Sequence, residues 1–319
     1  MDQPTLLAVP NVSEGRDEET IAAVAGAFSA DGGVRLLDIH ADSDHHRSVF
    51  TIAGPPRDLA DALLRGARVA VERIDVMTRA GGDGQNAGQH PHVGAIDVAP
   101  IVYLDSADKG AACAEALVVA DRIGEELQVP VFLYGELSGA DPASAITRAQ
   151  LRRGGITGLA SRMAGAALAT ERPPTPDFGP PTMHPTAGAT LVAARPPLVA
   201  FNLQLAPPAK LDDARAIAMA IREGGREGLP GLRAIAVAID VAVNDAQPPV
   251  AQVSMNVERP TELPLARVVE AVRAHARVAS AELVGLAPAV AFAGFPEDVP
   301  IPGFDPARHV IENALGLAS

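Results

Sequence analysis

Tryptophan is absent from this 319-residue chain, tyrosine occurs twice and cysteine once. So few aromatic side chains cannot build the stacking platforms that single-stranded nucleic acid needs. An excess of 39 acidic over 26 basic residues, a net charge of −13, also withholds the basic footprint that a phosphate backbone requires. The lone Cys113, in Ala112-Cys113-Ala114 on an amphipathic segment, reads as a small buried hydrophobe, and no disulfide framework exists. No apolar run reaches the roughly 20 residues that span a bilayer. The opening Met1-Asp2-Gln3-Pro4-Thr5 lacks the basic and apolar regions of a secretory leader. These exclusions predict a cytoplasmic protein with small-molecule substrates and neither nucleic acid nor membrane as partner. The acidity adds one demand: an anionic substrate needs a local cluster of Arg, His or helix N-termini to overcome the repulsive global field.

Hydrophobic residues make up 48% of the chain and are mostly Ala, Val, Leu and Ile, a composition suited to α/β packing over about two domains. A short strand at 6–9 ends at Pro10-Asn11, and the acidic Asp17-Glu18-Glu19 suits the start of a helix. Strands at 34–39 and 48–52 flank a polar turn at 42–46. Leu59, Leu63, Ala67, Ala70, Val71 and Ile74 then recur at helical spacing. A Gly-rich loop at 81–88 leads through His90 into a strand at 96–104, completing a β-α-β-β-α-β order. A helix at 108–127, a strand at 129–134 and helical sequence over 142–169 enlarge one edge of this half.

Residues 171–185 contain six prolines, incompatible with helix or central strand, and mark the expected boundary between units 1–175 and 176–319. Beyond it a strand at 198–205, a helix at 212–223, strands at 234–241 and 250–257, a helix at 264–279 and a strand at 282–286 repeat the order. In 250–257 Gln252, Ser254 and Asn256 alternate with Val253, Met255 and Val257, a half-buried strand pattern. The fold class expected is α/β (α+β): two ferredoxin-like βαββαβ subdomains enclosing a ligand cleft.

Six of the eight histidines, at 40, 45, 46, 90, 92 and 184, fall in or beside loops. An imidazole at a strand entrance accepts and returns a proton near neutral pH, and His90 in Gln89-His90-Pro91-His92-Val93-Gly94 has that placement. For any one loop histidine, a plain hydrogen-bonding role is the competing reading. The run His40-Ala41-Asp42-Ser43-Asp44-His45-His46-Arg47, with His90 and His92, also allows a zinc or iron site and hence a metal-dependent amidohydrolase. Against it, His45 and His46 point to opposite faces if a strand starts there. The Gly81–Gly88 loop lacks the Gly-Lys-Ser/Thr ending of a phosphate loop.

Several stretches in order resemble the formiminotransferase family: Val9-Pro10-Asn11-Val12-Ser13-Glu14-Gly15, His46-Arg47-Ser48-Val49-Phe50-Thr51, His90-Pro91 with Gly94-Ala95-Ile96-Asp97-Val98, and Val131-Phe132-Leu133-Tyr134-Gly135-Glu136. The similarity continues through Asp177-Phe178-Gly179-Pro180, His184-Pro185-Thr186-Ala187-Gly188, Ala200-Phe201-Asn202-Leu203 and Ala251-Gln252-Val253-Ser254-Met255-Asn256, nearly the whole chain. The resemblance implies transfer of a formimidoyl or formyl group between a glutamate-like amine and tetrahydrofolate, the latter as co-substrate, in histidine breakdown. It implies a histidine base at His90, no metal, and folate binding along Gly179-Pro180-Pro181-Thr182-Met183-His184-Pro185-Thr186-Ala187-Gly188.

Arg47, whose planar fork matches a carboxylate, is the expected substrate anchor, with a surface salt bridge as the alternative. Asn11, Glu14, His40 and Asn202 are further substrate-binding candidates, and Asp97 either orients the site or anchors its strand. Where the family reads Lys-Gly-Glu-His-Pro-Arg, this chain has Ala87-Gly88-Gln89-His90-Pro91-His92, which removes two cations and an acid. The cyclodeaminase domain that some relatives carry has no counterpart in these residues. A homodimer is the expected assembly, and a folate-binding protein without catalysis is the remaining alternative.

Overall fold

The computed structural model describes residues 3–81, 91–139, 145–165, 173–239 and 249–317. His90 and most of the Gly-rich loop before it lie outside the described residues. The chain is a mixed α/β protein with two sheets, and it divides into two compact units between Pro196 and Pro197.

In the N-terminal unit, β1 (Leu6–Ala8) and β2 (Asn11–Val12) are two halves of one interrupted strand. Pro10, with no N–H to give, breaks it, while its carbonyl still accepts from Phe50. Then come α1 (Glu18–Phe28), β3 (Arg35–Asp42), β4 (Arg47–Gly54), α2 (Asp58–Arg73), α3 (Val76–Gly81), β5 (Ile96–Val102), α4 (Lys109–Leu127) and β6 (Val131–Leu133). Two short helices, α5 (Arg148–Leu151) and α6 (Gly155–Met163), and β7 (Thr190–Arg195) close the unit. Both β1 and β2 pair antiparallel with β4 on one side and β5 on the other; β3 flanks β4, and β7 and β6 extend the far edge in parallel. Parallel pairing of β5, β7 and β6 demands crossovers, and α4 supplies the first.

β7 sits between β5 and β6, so the segment up to Arg195 pairs within the N-terminal sheet. The Pro-dense stretch is also attached there: Val131 donates to the Phe178 carbonyl at 3.0 Å, and the Asp177 carboxylate accepts from Leu133 at 2.7 Å. The observed division therefore falls about twenty residues beyond the composition boundary at 175/176. Of the helical sequence expected over 142–169, the described residues form two short helices, with Gly154 and Gly155 at left-handed φ of 78° and 62° where α6 begins.

Phe28, Phe50, Ile52, Leu59, Leu63, Ile101 and Ile123 are buried where α1, α2 and α4 meet one face of the sheet, with Phe28 and Phe50 edge to face at 5.2 Å. Each such side chain contributes about 1.5–3 kcal/mol by leaving water. Val93, Val98, Phe132, Leu151, Leu159 and Leu191 form a smaller core on the other face. With both faces covered, β5 is buried at every position, which is why 96–102 reads as nearly continuous apolar sequence.

Helix α2 has no side-chain cap of its own; its Arg57 has φ 76°. The buried Glu115 of α4 substitutes, its Oε1 accepting from Arg57 and Ala60 N–H groups at 2.7 Å each. Glu115→Ala is expected to cost about 1–2 kcal/mol in urea unfolding while Glu115→Gln, which keeps an acceptor, costs less than half of that. Equal losses in the two variants would show that the cap is not the reason.

The C-terminal unit contains β8 (Val199–Leu205), α7 (Leu211–Ile221), β9 (Leu232–Ile239), β10 (Val250–Val257), α8 (Leu265–Arg273) and β11 (Val278–Val284), then two short helices, α9 (Pro306–His309) and α10 (Ile311–Leu315). Its antiparallel sheet runs β11-β8-β10-β9, the order that two α crossovers around a central hairpin produce. Val253, Met255 and Val257 join Phe201, Leu203, Val268 and Val269 in its core. Among the described residues no helix is long and apolar enough to cross a membrane.

Candidate active site

Four segments converge at one end of the N-terminal sheet: the exit of β2, the β3–β4 turn, the approach to β5, and residues 184–189. Main-chain bonds hold them together. Ser13 donates to Ala95 O at 2.9 Å, its hydroxyl donates to Gly94 O at 2.7 Å, and Ala95 donates to Ala187 O at 2.8 Å. Ala189 donates to Val93 O at 2.9 Å, and Gly94 bridges Gly188. The segment 93–95 that leads into β5 is thereby joined to the end of the expected folate stretch. His184 and Gly188 exchange main-chain bonds of 2.9 and 3.2 Å, and the Thr186 carbonyl accepts from Val76 and Met77 at the start of α3. His184 Nδ1 accepts from Ala187 N–H at 2.9 Å, and burial lowers the pKa of this imidazole.

Glu14 is buried with both carboxylate oxygens engaged. Oε1 accepts from the N–H groups of Gly15, Arg16 and Asp17 at 2.9–3.1 Å, and Oε2 from Arg79 of α3 at 2.6 Å. Burial raises its pKa, but the Arg16 amide, Arg79 and the remaining donors outweigh it, so the net shift is downward. Arg79 also donates to Ser13 O at 3.0 Å. The loop needs glycine at 15, because a Cβ there would collide with the Asp42 carbonyl and, at 2.5 Å, with Arg47 N.

In the turn, the two adjacent histidines serve different partners. His45 is buried, its Nδ1 2.5 Å from Asp42 Oδ2, whereas His46 Nδ1 lies 3.1 Å from Gly15 N and 3.2 Å from Glu14 Oε1. Burial raises the Asp42 pKa, but bonds from the His45 ring and amide bring it down to about 2. Among the described residues no group of three or more His, Cys, Asp and Glu stands together as a metal site.

Asp97 and Arg152 form a buried ion pair on β5 and α5's C-terminus, and Asp97 Oδ1 also accepts from Val93 N–H at 2.9 Å. Asp97 thus anchors the backbone three residues after His90. Arg47, first residue of β4, keeps its Nε buried without a hydrogen-bond partner among the described residues. Burial and the nearby Arg152 and Arg148 pull its pKa down, against Asp42 and Asp97, to about 10, so it stays charged at neutral pH. The local positive charge that an acidic protein needs for an anionic substrate is supplied by Arg47 with Arg148 and Arg152 nearby, and by Arg16 and Arg79 near His46.

Asn11 and His40 belong to the same sheet. Asn11 Nδ2 donates to Val9 O at 3.3 Å, and the half-buried His40 pairs across to Val49. Asn202 is in the C-terminal unit, buried, donating to Glu282 at 2.8 Å. Sequence reading missed Arg79, in α3, and Arg152, just after α5, whose partners are 65 and 55 residues away. No local pattern marks them.

Comparison with known proteins places the chain in a family. Residues 5–195 match the family model of the formiminotransferase domain, N-terminal subdomain. The chain is 35% identical over 313 residues to a glutamate formimidoyltransferase of Streptococcus pyogenes, covering 96% of this chain and 97% of that protein. It is 30% identical to a glutamate formimidoyltransferase of Thermoplasma acidophilum over 88% of this chain and 87% of that one. Against a formimidoyltransferase-cyclodeaminase of Gallus gallus the identity is 36%, covering 88% of this chain and 49% of the longer relative. The chain belongs to the formiminotransferase family of transferases.

Proposed function

We propose that the protein transfers a formimidoyl group between N-formimidoylglutamate, or a related amine, and tetrahydrofolate, with His90 as general base and acid. An amine attacks only when deprotonated, and the tetrahedral intermediate collapses only when its departing nitrogen is protonated, so one imidazole serves both steps. Residues 179–188 form a folate wall, tied at 187–189 to the strand that leaves His90. Asn11 and His40 supply further polar contacts to the pterin or amidine, and Glu14 shapes the loop through its amide bonds. The working unit is a cytoplasmic homodimer.

One observation carries this reading: a buried Arg47 whose Nε has no hydrogen-bond partner among the described residues, with Arg148 and Arg152 nearby. A guanidinium so placed favours a planar anion, and a substrate carboxylate satisfies it with paired bonds. The reading is tested by assaying formimidoyl and formyl donors against tetrahydrofolate through the absorbance of the folate product. No turnover with any donor, and no calorimetric binding of tetrahydrofolate, would refute it. Within it, Arg47→Lys is expected to raise KM for the donor about 10- to 100-fold with kcat within about threefold, since the fork is lost but the charge remains. An unchanged KM would remove Arg47 from the site.

A further inference from the structure

His46 has a backbone φ of 50°, in the left-handed region that side-chain-bearing residues rarely adopt. Such a conformation persists where surrounding structure holds it, and here Gly15 packs against the turn from Asp42 to Arg47. The ring is held at one edge only. Nδ1 faces Gly15 N–H and Glu14 Oε1, and nothing among the described residues bonds to Nε2 on the opposite edge. The side chain is a tenth exposed, so the ring is anchored and partly open to solvent.

The charged groups that face it are Glu14, Arg79, Arg16 and His92. Glu14 is the single acid among them and is already engaged by three amides and Arg79. Arg79, Arg16 and His92 thus stand near an imidazole whose Nε2 has no acceptor among the described residues. That arrangement complements an incoming anion.

We propose that His46 is a ligand-binding residue of this site, giving its Nε2–H to a carboxylate of the bound substrate and setting the pH range over which that carboxylate is held. The carboxylate belongs to the glutamate-like donor or to the glutamyl end of the folate, an identification that rests on the functional reading above. Burial first, then Arg79, Arg16 and His92, lower the imidazole pKa below 6.5 against the pull of Glu14. At neutral pH the ring is therefore an uncharged donor, with Gly15 N–H directed at Nδ1. As pH falls, Nδ1 gains a proton that Glu14 Oε1 accepts, and Nε2–H becomes a charge-assisted donor of about twice the strength. Substrate carboxylates, with pKa values near 4, remain ionised over the same range. Binding must then tighten on acidification, and by linkage a bound carboxylate must raise the His46 pKa.

The test uses full-length protein, 15N-labelled, with glutarate as a plain dicarboxylate probe at about pH 8 and about pH 5.5. Asparagine tolerates the left-handed backbone and cannot carry the charge, so His46→Asn preserves the turn. Glutarate is expected to shift the His46 Nε2 resonance and to bind about three- to tenfold more tightly at the lower pH, with most of that gain missing in His46→Asn. Equal gains in variant and wild type, or no glutarate-dependent shift at Nε2, would overturn the proposal. Repeating the titration separately with N-formimidoylglutamate and 5-formyl-tetrahydrofolate assigns the carboxylate to whichever ligand shows the His46-dependent gain. Glutarate sensitivity without binding of either would uphold His46 and reject the folate-transfer reading.

Discussion

Asp97→Ala is expected to destabilise the N-terminal unit by about 3–5 kcal/mol. The carboxylate is buried and receives Arg152 and the Val93 amide. Its removal leaves a guanidinium with 7% exposure unpaired and an amide without an acceptor, so two desolvation penalties appear together. Because the cost comes from the orphaned charge, removing both partners should relieve it: Asp97→Leu with Arg152→Met is expected to recover more than half of the loss. Urea unfolding of the two single variants and the double variant measures this directly. A single-variant loss below about 1 kcal/mol would mean that water reaches the pair and that it behaves as a surface bridge. Any Asp97 variant that folds should also lose turnover, since Asp97 holds the Val93 amide three residues after His90.

His90→Gln is expected to lower kcat about 10²- to 10⁴-fold while 5-formyl-tetrahydrofolate binds within about threefold of the wild-type affinity. Glutamine keeps the size and hydrogen-bonding capacity of the side chain but cannot relay a proton. The expected loss therefore falls on kcat, and the titrating limb near neutrality should vanish from the pH profile of kcat. A variant within threefold of wild type would place the base elsewhere, and His46, His92 and His184 would be the next to substitute. A loss confined to KM would make His90 a binding residue.

The acid limb of stability has a separate origin. Asp42 has a folded-state pKa of about 2, below its unfolded value, so the His45–Asp42 interaction contributes stability that is fully present above the unfolded pKa, near 4, and is lost as pH falls toward 2. Asp42→Asn is expected to flatten thermal stability between about pH 4 and pH 2, as calorimetry across that range would register. An unchanged acid limb would show that other carboxylates dominate it.

Much of the fold was legible because a helix or strand writes its buried face into its own sequence. The alternation from Gln252 to Val257 reappears as a strand with Val253, Met255 and Val257 in the core, and the spacing from Leu59 to Ala70 reappears as the buried face of α2. The helical sequence expected over 142–169 appears among the described residues as two short helices, because Gly154 and Gly155 take left-handed φ that periodicity does not record. The prolines of 173–185 mark irregular chain correctly. They say nothing about the edge of β6 to which Asp177 and Phe178 bind.

The site divides in the same way. By itself the sequence determined the element order, the polar and apolar faces, the scarcity of basic residues, and ordered motifs specific enough to name a family. Only the tertiary structure decided which cations stand together, that Glu14 is held by its own loop and Arg79, that His45 and His46 turn to different partners, and that Arg47 lacks a partner at Nε among the described residues. The physical reason is range. Periodicity records which face of a segment leaves water, a property of neighbouring residues, whereas charge pairing and burial of single groups depend on residues 55 to 65 positions apart. Those contacts exist only once the sheet has brought β2, the β3–β4 turn, β5 and the 184–189 segment to one end.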